Sequence, residues 1–397
     1  MAAPNYEPST EGERQSLERA LEWIHSLASG IGPRRPTGAA EREAAELIAS
    51  ELRSAGVEAE LESFRGYSSF AQPFAIVLTL GALPSLISAR LRWLRRLLAA
   101  TASGLLVGEG GLRAPVLSAL LSRRRSQNLV ASIDPRGPAE RTLVLSAHLD
   151  TSRSGLMFGP RFVGYLKRWI TVQSTSVLAA GPLEWPLGRS SWGRAVLAVV
   201  RLIPLAGLAL LAQRELAGTE VRGANDNASG CAVVATLAGE LAEAPPERTR
   251  VVALFTGCEE SGTLGSRAFL RSRDTVGWSF INFDSVGGDC SVRYLTREGV
   301  LAKFEADATL LAACRRVADR RPELGLRAVA DPAGLTYDST PVHAHGGSAI
   351  TISAQDGYIP DLHQPTDTYE RIAPSAVAAT LEVGRELMAA AEEGRLD

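Results

Sequence analysis

Apolar positions along the chain follow two spacings. Residues 11–29 and 38–55 place Leu17, Leu21, Ile24 and Leu27, then Ala45, Ile48 and Leu52, at the three-and-four spacing of amphipathic helices. The breaker-rich turn GIGPRRPTG separates them. A strand-like run follows at 57–64, and short apolar runs at 129–133, 142–147, 251–256, 278–283, 291–295 and 349–353 predict further strands. Helical patterns are expected at about 229–243, 262–272, 300–318 and 373–393. Such alternation predicts an α/β fold: a central, mostly parallel mixed sheet flanked by helices.

Two blocks break this rhythm. Residues 71–121 are dominated by Leu, Ala and Arg, and a second block covers about 155–218, with AVLAVVRLIPLAGLALLA near its end. They read as two apolar helical hairpins inserted into a single domain that runs over 1–397. Their apolar runs are close to the lower limit of about 17 residues for a membrane span. Each also carries a proline, Pro84 or Pro204, and the second holds Arg201 mid-run, which is costly in hydrocarbon. If the rest of the chain stays in the cytoplasm, a spanning first hairpin would carry Arg90, Arg92, Arg95 and Arg96 across, against the tendency of basic loops to stay inside. The expectation is hairpins that pack on the domain, form a lid or dimer face, or lie on a membrane surface. Spanning is the alternative.

Composition narrows the class. Charged residues make up 22% of the chain and the net charge is −2, values of an ordinary globular protein. That balance argues against a dedicated nucleic-acid binder. Cys231, Cys258, Cys290 and Cys314 form no C-x-x-C pair and read as small core residues of a reduced protein. The first residues, MAAPNYEPSTEGERQ, lack the apolar core of a signal peptide, so the expected location is cytoplasmic.

Candidate chemistry sits in four segments. LVLSAHLDTS carries His148 and Asp150 after an apolar strand, and GANDNASG places Asp226 in a loop before a helix. VVALFTGCEESG puts Glu259 and Glu260 after a buried strand, and FINFDSVGG puts Asp284 at another strand end. A later loop, DLHQPTDTYE, supplies His363. Singly, each has a plain structural reading: a hydrogen-bonded loop, a solvated acidic pair, a helix cap. Together they sit just past the C-terminal ends of strands, the edge where open α/β sheets build their sites. So many carboxylates in one place would repel one another and resist burial. Divalent cations resolve this, and nitrogen plus carboxylate ligands suit zinc.

This ordered set resembles the co-catalytic zinc aminopeptidase family, relatives of glutamate carboxypeptidase and the glutaminyl cyclases. The likeness runs from GPRRPTGAAEREAAELIASELRSAGVEAE through HLD, GANDNASG, FTGCEESGTLGSRAF and NFDSVG to HQPTDTYERI. It implies a peptide substrate and two zinc ions bridged by Asp226. His148 and Asp284 would complete one zinc site, and Glu260 and His363 the other. Glu259 would be the general acid/base, and Asp150 would orient His148 by accepting its second N–H.

Two departures stand out. Asp150 and Asp226 lie 76 residues apart because the second apolar block intervenes, and that block starts and ends at the expected site. In YDSTPVHAHGG only Asp338 matches the family's Ser-Asp-His pattern, with Ser339 where the histidine would be. Tyr337 and Tyr358 are weak candidates for polarising a carbonyl. The His343/His345 pair and His25 read as structural. The resulting expectation is a dinuclear zinc exopeptidase of aminopeptidase type, with its substrate-binding residues left open. The rivals are a glutaminyl-cyclase-like acyl transferase and a catalytically silent membrane-surface scaffold.

Overall fold

The computed structural model describes residues 4, 6–88, 90–112, 114–330 and 334–396. Among the described residues the α-helices are α1 (Glu11–His25), α2 (Ala39–Ser54), α3 (Ala71–Ala82), α4 (Arg92–Gly110), α5 (Val116–Leu121) and α6 (Leu166–Leu187). Then come α7 (Ser191–Ala217), α8 (Gly230–Glu243), α9 (Leu264–Arg271), α10 (Ala308–Arg320), α11 (Ser339–Ala344) and α12 (Pro374–Glu392). The strands are β1 (Glu58–Gly66), β2 (Arg124–Ile133), β3 (Arg141–His148), β4 (Thr249–Thr256) and β5 (Trp278–Phe283). They continue as β6 (Val292–Glu298), β7 (Phe304–Glu305), β8 (Arg327–Ala330) and β9 (Ser348–Ala354).

All strands join one sheet in the order β1-β2-β4-β3-β5-β9-β6-β7, with β8 also paired to β6. The centre, β4-β3-β5-β9, is parallel, whereas β1-β2-β4 and β9-β6-β7 are antiparallel. The expected mixed α/β sheet is therefore present, with its parallel pairing concentrated at the middle. The apolar runs set this pattern. β3, β4 and β5 are buried along nearly their whole length, as sheets covered on both faces require. One cluster packs α1, α2, α8, α10 and α12 over Leu145, Phe255 and Ile281, and a second, with Val144, Phe269 and Phe280, lies on the opposite face.

One boundary differs from the sequence reading. The helix expected at 300–318 begins only at Ala308, because residues 304–305 pair with β6 and Asp307 caps α10 through the amides of Thr309 and Leu310.

The two apolar blocks form antiparallel hairpins, α3–α4 and α6–α7, that pack on one another around a shared interior of Val77, Leu78, Leu106, Val177 and Leu211. Their bases adjoin the C-terminal edge of the parallel strands. There Arg214 stacks over Phe70 at 4.4 Å, and Phe70 meets Phe158 edge-on at 6.5 Å.

Leu145, fully buried in central β3, tests the core. Leu145→Ala is expected to cost about 3 kcal/mol of unfolding free energy through the cavity it leaves, read as a lowered midpoint in a denaturant titration.

Candidate metal centre

The register of the parallel strands builds the site. His148 at the end of β3 pairs with Thr256 at the end of β4, and Asn282 of β5 pairs with Ser146, two residues before His148. Glu259 and Glu260 follow β4 by a few residues, Asp284 directly follows β5, and His363 lies in the loop after β9. Side chains far apart in sequence thus leave neighbouring strands at one edge of the sheet.

Asp226 sits between them. Its Oδ1 lies 3.2 Å from His148 Nε2, and its Oδ2 lies 3.2 Å from His363 Nε2. Asp284 Oδ2 approaches His148 Nε2 at 3.5 Å, and Glu260 Oε1 approaches His363 Nε2 at 3.0 Å. The result is two groups that share Asp226: His148–Asp226–Asp284 and Asp226–Glu260–His363, all buried. Glu259 lines the cavity in front of both.

The loops are held by hydrogen bonds that the motif glycines, asparagines and serines make possible. Asn227 donates to the Phe283 carbonyl and accepts from the Gly230 and Ser285 amides. Asn225 accepts from the Gly287 amide, and Ser229 Oγ donates to the Asn225 carbonyl while accepting from the Val286 amide. These bonds fix Asp226 against Asp284. A Cβ at Gly230 would stand 2.2 Å from the Phe283 carbonyl, so this close approach requires glycine. Cys258, Ser285 and His363 take left-handed backbone angles, with φ of 57°, 55° and 52°, where each loop turns into the site.

Asp150 behaves differently from its expected role. His148 Nδ1 lies 3.0 Å from the Asp150 backbone carbonyl, whereas the carboxylate is 3.9 Å away. The carboxylate instead accepts the backbone amides of Glu259, at 2.9 Å, and Glu260, at 3.0 Å. It therefore positions the acidic pair, while its main chain orients the imidazole.

Three buried groups escaped the sequence reading. Asp367 accepts the amides of Asn225 and Asp226, holding the shared carboxylate from behind. Arg34 donates to the carbonyls of Leu27, Gly32, Leu149, Arg222 and Gly223, lashing the segments around His148 and Asp226 together. Glu41 accepts from Ser126 Oγ and from the Thr37 and Cys258 amides behind the Glu259 loop. Asp367 had a signal, since it stands four residues after His363 in the same polar loop. Arg34 and Glu41 lie in the GPRRPTGAAE stretch, where the pattern alone reads as a turn and a helix start.

Other candidates fall outside the cluster. His343 Nε2 is 3.8 Å from Glu298, His345 Nδ1 donates to the Pro341 carbonyl at 2.7 Å, and His25 packs edge-on against Tyr369. Tyr337 lines the cavity, whereas Tyr358 is half exposed and does not. Asp338 accepts a short hydrogen bond from Thr256 Oγ1. Burial pushes the Cys258 thiol well above its usual range, as expected of a core thiol.

The electrostatics show what the cluster lacks. Burial pushes the Glu259 carboxyl well above the usual carboxylate range and raises Asp150 and Asp284 to about 7. Burial opposes charge on His363 too, but the Glu260 and Asp226 carboxylates outweigh it and raise the imidazole to about 9. Glu260 Oε1 is buried, with the His363 imidazole beside it. Converging, buried nitrogen and carboxylate donors of this kind fit divalent cations of the zinc type.

The same residues carry the family signature. Residues 209–388 match the profile of Peptidase family M28. Over this stretch the chain is similar to M28 peptidases. It contains Asp226, Glu259, Glu260, Asp284 and His363, while His148 and Asp150 precede it. No curated protein matches the sequence. Among solved structures, a zinc aminopeptidase from Bacillus subtilis aligns with 94% of this chain and 95% of its own, at 15% identity and a TM-score of 0.59. Glutaminyl cyclase from Porphyromonas gingivalis covers 94% of this chain and 98% of its own, at 16% identity and a TM-score of 0.54. An aminopeptidase from Aneurinibacillus sp. strain AM-1 covers 96% of each, at 13% identity and a TM-score of 0.56. These likenesses establish a shared fold.

Removing the support behind Asp226 should be felt at the metal. Asp367→Ala is expected to weaken zinc affinity by about 10–100-fold, as loss of outer hydrogen-bond partners does at such sites. Competition against a chromophoric chelator measures it, with an unchanged far-UV spectrum as the control for folding.

Proposed function

We propose that the chain is a zinc-dependent exopeptidase that trims peptides from the amino end and uses two ions. The carrying observation is the shared Asp226 carboxylate, one oxygen turned to His148 and Asp284, the other to His363 and Glu260. In this reading His148, Asp226 and Asp284 hold one ion, and Asp226, Glu260 and His363 the other. The ions supply Lewis acidity toward the scissile carbonyl and lower the pKa of water.

The chain's own groups do the rest. Glu259 faces the cavity beside the cluster, where its carboxylate takes the proton from the attacking water and returns it to the leaving nitrogen. Asp150 keeps Glu259 and Glu260 aimed by binding both their amides. The cavity in front of them, about 250 Å³, is walled by Phe70, Met157, Phe158, Trp169, Leu211 and Tyr337. Such walls favour a large apolar side chain at the peptide's amino end.

The cyclase alternative accounts for less of the site, because chemistry at one ion leaves either His148 with Asp284 or Glu260 with His363 unused. A silent scaffold would not need Glu259 in the cavity.

Two measurements test this. A pool of free, N-acetylated and N-terminal-Gln peptides is incubated with the zinc-loaded chain, with a chelator control, and read by mass spectrometry. Chelator-sensitive loss of one residue from free peptides, fastest for Leu and Phe ends, is expected. Ammonia loss from Gln peptides alone would overturn the peptidase reading. Glu259→Ala is expected to retain its zinc by elemental analysis and to lose turnover by roughly 100-fold or more.

A further inference from the structure

In the four-helix bundle of α3, α4, α6 and α7 the usual polarity is reversed. Along α7 the inward positions include Arg201 and Arg214, while the outward ones from Ala195 to Ala212 are Ala, Val and Leu only. Along α6 the interior receives Gln173, Ser174, Ser176 and Glu184, while Val172 and Trp185 face out. At the bundle's outer end Glu184 sits between Arg95, at 3.0 Å, and Arg201, at 2.6 Å, all three buried. Further in, Gln173 donates to the Ile203 carbonyl, and Ser103 to that of Val177. Small residues mark the crossings: a Cβ on Gly207 would strike Gln173, and one on Gly181 would touch Ala99. Polar glue and small residues between helices, with an apolar exterior, are the packing rules of helices in lipid.

We propose that this bundle is seated in the hydrocarbon of a lipid bilayer, with α7 crossing it and the sheet and its metal centre held at one face. Dimensions agree. α7 has 27 residues, about 40 Å at 1.5 Å per residue, against a hydrocarbon core of about 30 Å. It is apolar enough to cross, and only 28% of its most apolar window is buried in the protein. Tyr165 and Trp185, at opposite ends of α6 and each 60% exposed, are separated by about 30 Å of helix, the spacing of two interfacial aromatic belts. At the outer end Arg96 lies over Trp185 at 4.1 Å, with Trp93 and Trp192 exposed nearby in sequence at the helix starts. Within 71–86, 97–107, 169–183 and 195–213 the buried Arg201 is the only charged residue; the exposed Lys167 and Arg168 lie within a turn of Tyr165, and Glu184 is next to Trp185.

A second copy of the chain fits less well than lipid. Exposed apolar side chains occur on every helix of the bundle: Ile76 on α3, Leu97 and Val107 on α4, Val172 on α6, Val199 and Leu202 on α7. A two-fold partner covers one patch, whereas lipid surrounds all sides. The inference stands apart from the peptidase chemistry, since it uses none of the metal-centre residues.

The test uses the full chain purified in detergent and mixed with electroneutral phosphatidylcholine vesicles. On detergent removal it is expected to float with the vesicles at both low salt and about 1 M NaCl, where charge attraction is screened beyond roughly 3 Å. The native cysteines are buried and give little background, so single cysteines report exposure. In vesicles Val199→Cys is expected to lose labelling by a water-soluble maleimide, while Ser191→Cys at the hairpin tip stays reactive. A chain that remains soluble without detergent as a monomer or dimer, or that reacts equally at both positions, would overturn the proposal.

Discussion

Desolvated negative charge is the constraint around which the sheet edge is organised. Asp150, Glu259, Glu260 and Asp284 are buried within a few residues of three adjacent strand ends, and Asp226 is buried among them from the loop before α8. Water cannot stabilise them there, and isolated buried carboxylates are among the most expensive groups a fold can hold. The chain answers with amides and imidazoles: Asp150 and Asp367 each take two backbone N–H groups, and Asp226 takes two histidines. What remains unneutralised lies in the middle of the cluster. Every supporting loop, from the Asn225–Ser229 clamp to the Arg34 tether, exists to keep that deficit in one place.

Much of this was written locally. Continuous apolar runs mark β3, β4 and β5 because both faces of those strands are covered, and polar residues at their ends then stand out as misfits. For that reason His148, Glu259, Glu260 and Asp284 were visible before any geometry was known. Asp226 and His363 were legible through their motifs. The supporting groups were not, because their role depends on three-dimensional proximity. Glu41, in the first turn of α2, has the sequence context of an ordinary surface acid, yet it is fully buried against β2 and the Cys258 amide. The choice between the Asp150 carboxylate and its carbonyl likewise depends on where the β4 loop passes, which no spacing rule encodes.

The two halves of the molecule obey opposite solvation rules. Around the sheet, apolar side chains point inward and most charges outward, with buried exceptions at the metal centre and at Arg293 and Glu298. In the bundle, Arg95, Glu184 and Arg201 point inward and Leu, Val and Trp outward. A binary reading of composition averages these patterns into an unremarkable globular balance. Burial resolved residue by residue separates them, because a mid-helix arginine signals a different environment when it is hidden from one when it is exposed.

The hairpins also interrupt the chain between partners. β1 precedes the first hairpin and β2 follows it, while His148 and Asp150 precede the second and Asp226 follows it. His363 comes near the end of the chain. During synthesis, therefore, neither half of the cluster can close until both hairpins have been made and their ends drawn together. The order of the chain thus makes closure of the ligand cluster a late event in folding, downstream of both hairpins.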